Sequence, residues 1–291
     1  MMTAPTIAAC DLLSPDRLRA VRRAIRDRLP PAPPPGPIRQ AACLMEVADD
    51  YDGFLFDDDG VLTEGDEARP GAVACLAALR AMGRPFRVLA TDAGCAPQAA
   101  LARFRRLGLD LRDGEVLSAR TAALSMLGGR GWGAITAPGD ALADAGGRVH
   151  DLLADRDWST ARGIVFLSPA RWDAALQDRL VACLRARPRP VVVAGPDLTA
   201  PRAGGLSALP GLWAHDLQER TGIVPHVVAK PCRTPRAAGL GGRVAMVGDV
   251  LHVDVPGGMA AGCHTILVTG RGGPGAICDG AIAPDVVLPS L

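Results

Sequence analysis

Three consecutive carboxylates stand where a short apolar segment of the chain ends. Asp57, Asp58 and Asp59 follow the apolar residues 54–56, and Gly60 comes next. An apolar run that ends at a turn signal is typical of a buried strand in a parallel sheet, and open α/β sheets bind ligands at the carboxyl ends of such strands. Adjacent carboxylates repel one another unless a cation lies among them, and Mg²⁺ prefers oxygen ligands. Taken alone, the run also fits an acidic surface turn.

Polar residues follow two other apolar runs in the same way. Thr91 and Asp92 follow one run, Asp249 follows another, and Lys230 precedes the latter. Lys230 is the only lysine in an arginine-rich chain, which indicates a position that a guanidinium group does not fit. The ends of parallel strands gather along one edge of a sheet. We therefore expect these groups to form a site for a metal ion and a phosphate group.

The intervening sequence predicts two α/β modules. A helix is predicted from Met45 and another over 71–82, and the strands around the latter complete a βαβ unit. The segment 96–228 has its own alternation of predicted helices (97–107, 119–127 and 170–187) and strands (133–136, 163–167 and 190–194). Strands over 243–247 and 265–268 then return to the first module. This order predicts one module inserted into the other.

The N-terminal segment predicts a helix over 14–29, with Leu18 and Val21 among the apolar residues at helical spacing. Six prolines within Pro30–Pro37 predict a stiff extended linker. Two interpretations of this segment are a helix packed on the main domain and a docking arm for a partner.

Composition excludes several classes of protein. The net charge of +1 gives no electrostatic reason to expect nucleic acid or an acidic membrane surface as a partner. No apolar run is long enough to span a membrane, and we see no secretory signal. The eight cysteines form no Cys-x-x-Cys pair, so we expect reduced thiols and a cytoplasmic location. Cys95 and Cys232 lie near Asp92 and Lys230, which leaves a redox switch as a lesser alternative.

Four segments resemble, in order, the four motifs of the haloacid dehalogenase-like superfamily: Asp57-x-Asp59-Gly60-Val61, Thr91, Lys230-Pro231, and Gly248-Asp249 with Asp254. Room for a cap domain exists only between the second and third motifs. This placement resembles class IIA, which contains nitrophenyl-phosphatase-, pyridoxal-phosphate-phosphatase- and phosphoglycolate-phosphatase-like proteins. The resemblance implies a doubly wound, Rossmann-like parallel-sheet core with an inserted α/β cap. The expected boundaries are an arm over 1–44, a core over 45–95 and 229–291, and a cap over 96–228.

The resemblance also implies catalytic roles. Asp57 would attack phosphorus and become an aspartyl phosphate, while Asp59 would protonate the leaving oxygen and then activate water. Mg²⁺ would be held by the side chains of Asp57 and Asp249 and by the main-chain carbonyl of Asp59. Thr91 and Lys230 would bind the phosphoryl oxygens, where negative charge must be neutralised. Asp254 would be a supporting carboxylate outside the metal ligands.

Two departures from the family pattern concern the substrate. Asp92 replaces the usual asparagine and adds a negative charge beside Thr91. Gly195-Pro196-Asp197 resembles the Asn-Pro-Asp cap motif with glycine in first place, and Asp197 is a candidate substrate contact. Asp58 is assigned no direct chemistry, and His252 is interpreted as a loop residue rather than a ligand, because Mg²⁺ prefers oxygen.

The sequence thus predicts a Mg²⁺-dependent phosphatase that acts on a small phosphorylated metabolite, without identifying that metabolite. We expect no nucleic-acid or membrane partner, and we consider a homodimer formed through the cap. The alternative is a catalytically weak binding or regulatory protein that kept the fold, which Asp92 and the proline-rich arm favour. The complete set of Asp57, Asp59, Lys230 and Asp249 argues against it, because a pure binder gains nothing from the proton-transfer carboxylate.

Overall fold

The computed structural model describes residues 13–26, 36–202, 205–228, 230, 235–270 and 282–291. Most of the predicted proline-rich linker, together with Pro231 and Cys232, lies outside these residues. No helix in the described ranges is both long and apolar enough to cross a membrane.

The described residues form seven α-helices, sixteen strands and six short 3₁₀ helices. The α-helices are α1 (Pro15–Arg26), α2 (Ala72–Ala81), α3 (Pro97–Arg106), α4 (Ala119–Ser125), α5 (Ala174–Ala186), α6 (Pro210–Thr221) and α7 (Asp254–Ala260). The first eight strands are β1 (Arg39–Gln40), β2 (Gly53–Asp57), β3 (Thr63–Glu64), β4 (Glu67–Ala68), β5 (Phe86–Ala90), β6 (Val116–Ser118), β7 (Trp132–Ile135) and β8 (Val149–Asp151). The others are β9 (Gly163–Phe166), β10 (Val191–Ala194), β11 (Thr199–Arg202), β12 (Gly205–Ala208), β13 (His226–Val228), β14 (Val244–Gly248), β15 (His264–Val268) and β16 (Val286–Leu288). The 3₁₀ helices are Leu44–Glu46, Ala48–Asp50, Ala143–Ala145, Leu152–Ala154, Trp158–Thr160 and Arg236–Ala238.

The chain divides into two compact units. The first, which we call the core unit, comprises Arg28–Thr91, Pro97–Ser118 and Lys230–Leu291. Its seven-stranded sheet has the order β1-β16-β15-β14-β2-β5-β6, and every neighbouring pair is parallel. From β2 the chain continues outward through β5 and β6, whereas β14, β15 and β16 extend in the opposite direction. The strand order therefore reverses between β2 and β14, which is where open α/β sheets bind ligands.

The two central strands of this sheet are fully buried. All five residues of β2 and all five residues of β14 are buried, as expected for strands covered on both faces. Phe54 and Phe56 stack with ring centroids 5.9 Å apart. The parallel-sheet core predicted from the apolar runs is confirmed. Its two central strands lead directly into the acidic residues at their carboxyl ends.

The second unit, which we call the inserted unit, comprises Met1–Asp27, Asp92–Ala96 and Ala119–Ala229. It contains a five-stranded parallel sheet of order β13-β10-β9-β7-β8 and the antiparallel hairpin β11-β12. Leu18 and Val21 of α1 are buried in the apolar core of this unit. The predicted N-terminal helix is therefore present, and it packs as part of the inserted unit.

Two sequence predictions need correction. Residues 97–118 belong to the core unit, because β6 pairs in parallel with β5 and extends the core sheet by one strand. Of the expected cap over 96–228, the inserted unit therefore contains residue 96 and residues 119–228 but not 97–118. It also contains residues 92–95, which were expected in the core. The helix predicted from Met45 is replaced by the 3₁₀ helices Leu44–Glu46 and Ala48–Asp50.

Candidate active site

Asp57 and Lys230 form a buried ion pair at the end of β2. The Lys230 Nζ donates to Asp57 Oδ2 at 2.7 Å, and the two side chains are 7% and 2% exposed. The main-chain N–H of Asp58 donates to the other carboxylate oxygen of Asp57 at 2.9 Å. The Lys230 ammonium group thus contacts the carboxylate of a residue that lies 173 positions earlier in the chain. The structure thus brings together the two residues predicted as nucleophile and phosphate-binding cation, and these roles stay predictions.

Asp249 and Asp254 stand beside this pair at the end of β14. Asp254 Oδ2 accepts the main-chain N–H groups of Asp249 at 3.1 Å and Val250 at 2.9 Å, which fixes the loop after the strand. Asp254 Oδ1 lies 3.5 Å from Lys230 Nζ, so the ammonium group faces two carboxylates.

Glycines make this close approach possible. A Cβ atom on Gly60 would lie 2.0 Å from Asp249 Oδ2, and the φ angle of Gly60 is +88°, which L-residues with side chains rarely adopt. A Cβ atom on Gly248 would meet Asp254 at 2.2 Å. The glycine after the acidic run is therefore required by the position of a carboxylate from another strand.

The carboxylates of Asp57, Asp249 and Asp254 suit a cation with oxygen ligands. Each offers an oxygen, and these atoms all lie within 4.8 Å of one another. Burial, followed by the charge of Asp254, raises the pKa of Asp249 to about 7, although Lys230 opposes the shift. No donor within the described residues reaches Asp249 Oδ1. A divalent cation would supply the missing positive charge.

This carboxylate group contains both side chains predicted as metal ligands, Asp57 and Asp249, and adds a third. Asp254, expected only in a supporting position, is part of the group, and Asp59 contributes no carboxylate to it. Asp59 is instead exposed, directly after the buried Asp57 and Asp58. The predicted contribution of the Asp59 main-chain carbonyl to a metal ion stays a prediction.

Asp58 is the residue that sequence reasoning undervalued. Its side chain is 5% exposed, and its Oδ1 accepts the Thr91 hydroxyl at 2.9 Å and the main-chain N–H of Asp59 at 2.7 Å. Burial raises the pKa of Asp58 above its ordinary value, while the Lys230 charge and these hydrogen bonds act in the opposite direction. The sequence feature that could have indicated this role is a third charged residue in the acidic run, directly after an apolar strand.

Asp92 and Asp197 belong to the inserted unit. Asp92 is exposed and its Oδ1 accepts the N–H of Gly94 at 2.8 Å, so its side chain closes a local turn. The main-chain oxygen of Asp197 accepts the N–H of Gly211 at 3.1 Å, and the Asp197 side chain is partly buried. Gly195 has a φ angle of +113°, which explains glycine in the first place of this motif. The substrate contacts predicted for Asp92 and Asp197 stay predictions.

Comparisons with known proteins agree with this geometry. A family model described as "Haloacid dehalogenase-like hydrolase" matches residues 54–140, and a second HAD-hydrolase-like model matches residues 232–291. The first match contains Asp57, Asp59 and Thr91, and the second contains Asp249 and Asp254. The two matches flank the larger part of the inserted unit.

Curated relatives and solved structures match most of the chain. A dihydroxyacetone phosphatase of Corynebacterium glutamicum is 25% identical, over 74% of this chain and 80% of that protein. An acid sugar phosphatase of Staphylococcus aureus is 24% identical, over 75% of this chain and 86% of that protein. The structure of a possible sugar phosphatase of Cytophaga hutchinsonii has a TM-score of 0.73 at 19% identity, covering 87% of this chain and 98% of that chain. With its motifs and the two family models that match it, this chain belongs to the haloacid dehalogenase-like hydrolases, and its α/β unit between the second and third motifs has the class IIA placement.

Proposed function

We propose that this hydrolase is a Mg²⁺-dependent phosphatase that cleaves a small phosphorylated metabolite through an aspartyl-phosphate intermediate. The observation that carries the proposal is the buried Lys230–Asp57 pair next to Asp249 and Asp254, at the reversal of strand order. A nucleophilic carboxylate, a phosphate-binding ammonium group and further acidic oxygens are the parts that phosphoryl transfer needs.

In the proposed reaction, an Asp57 oxygen attacks phosphorus while the ester oxygen leaves. Asp59 donates a proton to that oxygen and then takes one from the water that cleaves the aspartyl phosphate. The exposed position of Asp59 suits a group that must reach the leaving part of a substrate. Lys230 neutralises charge on the phosphoryl oxygens, and Asp254 orients both Lys230 and the loop of Asp249.

The metal would be held by the side chains of Asp57 and Asp249 and by the Asp59 main-chain carbonyl, with Asp254 close by. When bound, Mg²⁺ would supply positive charge that offsets the negative charge of the carboxylates and of the phosphoryl group. The raised pKa of Asp249 supports this assignment, since burial and then the charge of Asp254 disfavour the ionised carboxylate, and a bound cation would favour it.

The inserted unit is proposed to act as the cap that selects the substrate, with Asp197 as a contact. The chain passes between the two units after Thr91, Ala96, Ser118 and Ala229, and these points are proposed as hinges. Closure of such a unit would exclude water from the intermediate. Homodimer formation through this unit remains part of the proposal and is tested by the mass of the protein in solution.

The decisive experiment measures phosphate release from a panel of small phosphate esters, with and without Mg²⁺. Dihydroxyacetone phosphate and sugar phosphates come first, because two relatives carry the names dihydroxyacetone phosphatase and acid sugar phosphatase. We expect Mg²⁺-dependent release from at least one ester and none from the Asp57→Asn variant. Absence of release from every ester would instead support the catalytically weak binding protein.

A further inference from the structure

Asp58, the middle residue of the acidic run, accepts the Thr91 hydroxyl hydrogen bond that a bound phosphate group would need. Asp58 Oδ1 accepts the Thr91 hydroxyl at 2.9 Å, and Asp58 Oδ2 lies 3.4 Å from the Thr91 main-chain nitrogen. A hydroxyl group has one hydrogen to donate. While Thr91 donates it to Asp58, its oxygen presents only lone pairs to any other group.

This arrangement conflicts with anion binding. Phosphoryl oxygens are negatively charged acceptors, so they gain from hydrogen-bond donors and are repelled by lone pairs and carboxylates. The Asp58 carboxylate also interacts with the charge of Lys230, the other group proposed to bind the phosphoryl oxygens. Asp58 is buried, so water screens its charge only weakly.

We propose that the Asp58 carboxylate competes with the phosphoryl group for the Thr91 hydroxyl and so weakens the binding of phosphate esters and of product phosphate. The inference rests on the proposed function, because it concerns the same site. It assigns to Asp58 the control of phosphate affinity, with no part in the bonds that form and break.

The test measures the dissociation constant of inorganic phosphate for the Mg²⁺-loaded full-length protein by titration calorimetry. Asp58→Asn removes the charge and keeps the shape, and Asp58→Leu also removes the acceptor for Thr91. A hydrogen bond to a charged group changes a binding constant by about one to two factors of ten. We therefore expect Asp58→Leu to bind phosphate about tenfold more tightly. Asp58→Asn should show a smaller gain.

A matched control lies at the other end of the same strand. Asp52 is exposed, and its Oδ2 accepts the main-chain N–H of Arg243 at 2.7 Å, a bond that asparagine can keep. Asp52→Asn makes the same change in charge and should leave the phosphate affinity unchanged. A gain in Asp52→Asn equal to that of Asp58→Asn would mean that net charge alone is responsible, and would overturn the proposal.

Thr91→Val tests whether the hydroxyl transmits the effect. In a double-mutant cycle, Asp58→Leu should tighten phosphate binding in the wild type and change it little when Thr91 is valine. An equal gain in both backgrounds, or no gain in either Asp58 variant, overturns the proposal.

The result separates this inference from the proposed function, because binding is measured without turnover. Tighter phosphate binding in the Asp58 variants of a protein that cleaves no ester would refute the phosphatase and support the competition. Ester cleavage by a protein whose phosphate affinity does not respond to Asp58 would do the reverse.

Discussion

Each of the two units contains a buried cluster of opposite charges, and the two clusters are built differently. In the inserted unit, the fully buried Arg120 donates to Asp140 at 2.6 and 3.0 Å and to Asp144 at 2.7 Å from two nitrogens. In the core unit, Lys230 makes one short contact with Asp57 and a longer one with Asp254. One planar guanidinium group pairs with two carboxylates through four hydrogen bonds, whereas one ammonium group contacts two carboxylates and also interacts with the charges of Asp249 and Asp58.

The pKa values of carboxyl groups in the two clusters shift in opposite directions. Burial opposes ionisation of Asp140, but hydrogen bonds from Arg120, Thr136 and Leu142 hold its pKa below the ordinary value. Burial and a neighbouring charge instead raise the pKa of Asp249 to about 7. A cluster whose charges are balanced within the chain is costly to break by removing one partner, while a cluster left with excess negative charge is suited to bind a cation.

The largest expected effect is on catalysis in the core unit. Replacing Asp57 by asparagine removes the proposed nucleophile and should lower kcat by several orders of magnitude, as for other nucleophile deletions. Thermal unfolding should change little, because the amide can still accept a hydrogen bond from Lys230. Phosphate release and unfolding temperature are the measurements, and more than about a tenth of wild-type activity would contradict the assignment.

Breaking the Arg120 cluster should affect stability first. Arg120→Ala leaves two carboxylates without their cation, and removal of one partner of a buried pair costs about 3–5 kcal/mol. Chemical denaturation measures the free energy of unfolding. Arg19→Ala is the control, since Arg19 pairs with Asp16 on the exposed face of α1 and should lower stability only slightly. Equal effects of the two variants would show that the Arg120 cluster has no special structural role.

The raised pKa of Asp249 predicts how Mg²⁺ binding depends on pH. The folded protein holds a proton on Asp249 up to about pH 7, whereas the unfolded chain loses it near 3.8. Without a cation, this group therefore lowers stability as the pH rises from about 4 to about 7.

Because Mg²⁺ needs the ionised carboxylate, its affinity should be about tenfold weaker at pH 6 than at pH 8. Unfolding temperatures with and without Mg²⁺ at both pH values provide the measurement. Asp249→Asn is the control and should bind Mg²⁺ weakly at both pH values. Equal stabilisation of the wild type by Mg²⁺ at both pH values would contradict the shift.

The smallest expected effect concerns Asp197 in the inserted unit. If Asp197 contacts the substrate, Asp197→Ala should change kcat/KM by different factors for different esters, because each leaving group meets the site differently. The affinity for Mg²⁺ should not change. Asp16→Ala, at an exposed acid of the same unit, serves as the control. A uniform loss across all esters would argue against a selective contact.

Local sequence patterns were sufficient for the strands and for the outline of the site. The apolar runs before Asp57, Thr91 and Asp249 became β2, β5 and β14, because a central parallel strand must be apolar on both faces. The ends of such strands meet at one edge, which brought Asp57 and Asp249 together as expected. The single lysine also lies at this edge, where it contacts Asp57.

Only the tertiary structure decided the features that depend on distant pairing. Nothing in residues 97–118 shows that β6 pairs with β5, since a short strand acquires its place from its neighbours. The same limit applies to Arg120, whose acidic partners lie 20 and 24 residues away, in a loop and in the following 3₁₀ helix. Asp58 was assigned no direct chemistry because its neighbours in the sequence do not show that it is buried against Thr91. The sequence by itself determined which groups reach the edge of the sheet, and the packing between strands decided which of those groups touch, because contacts between strands depend on register and on the side chains of both partners.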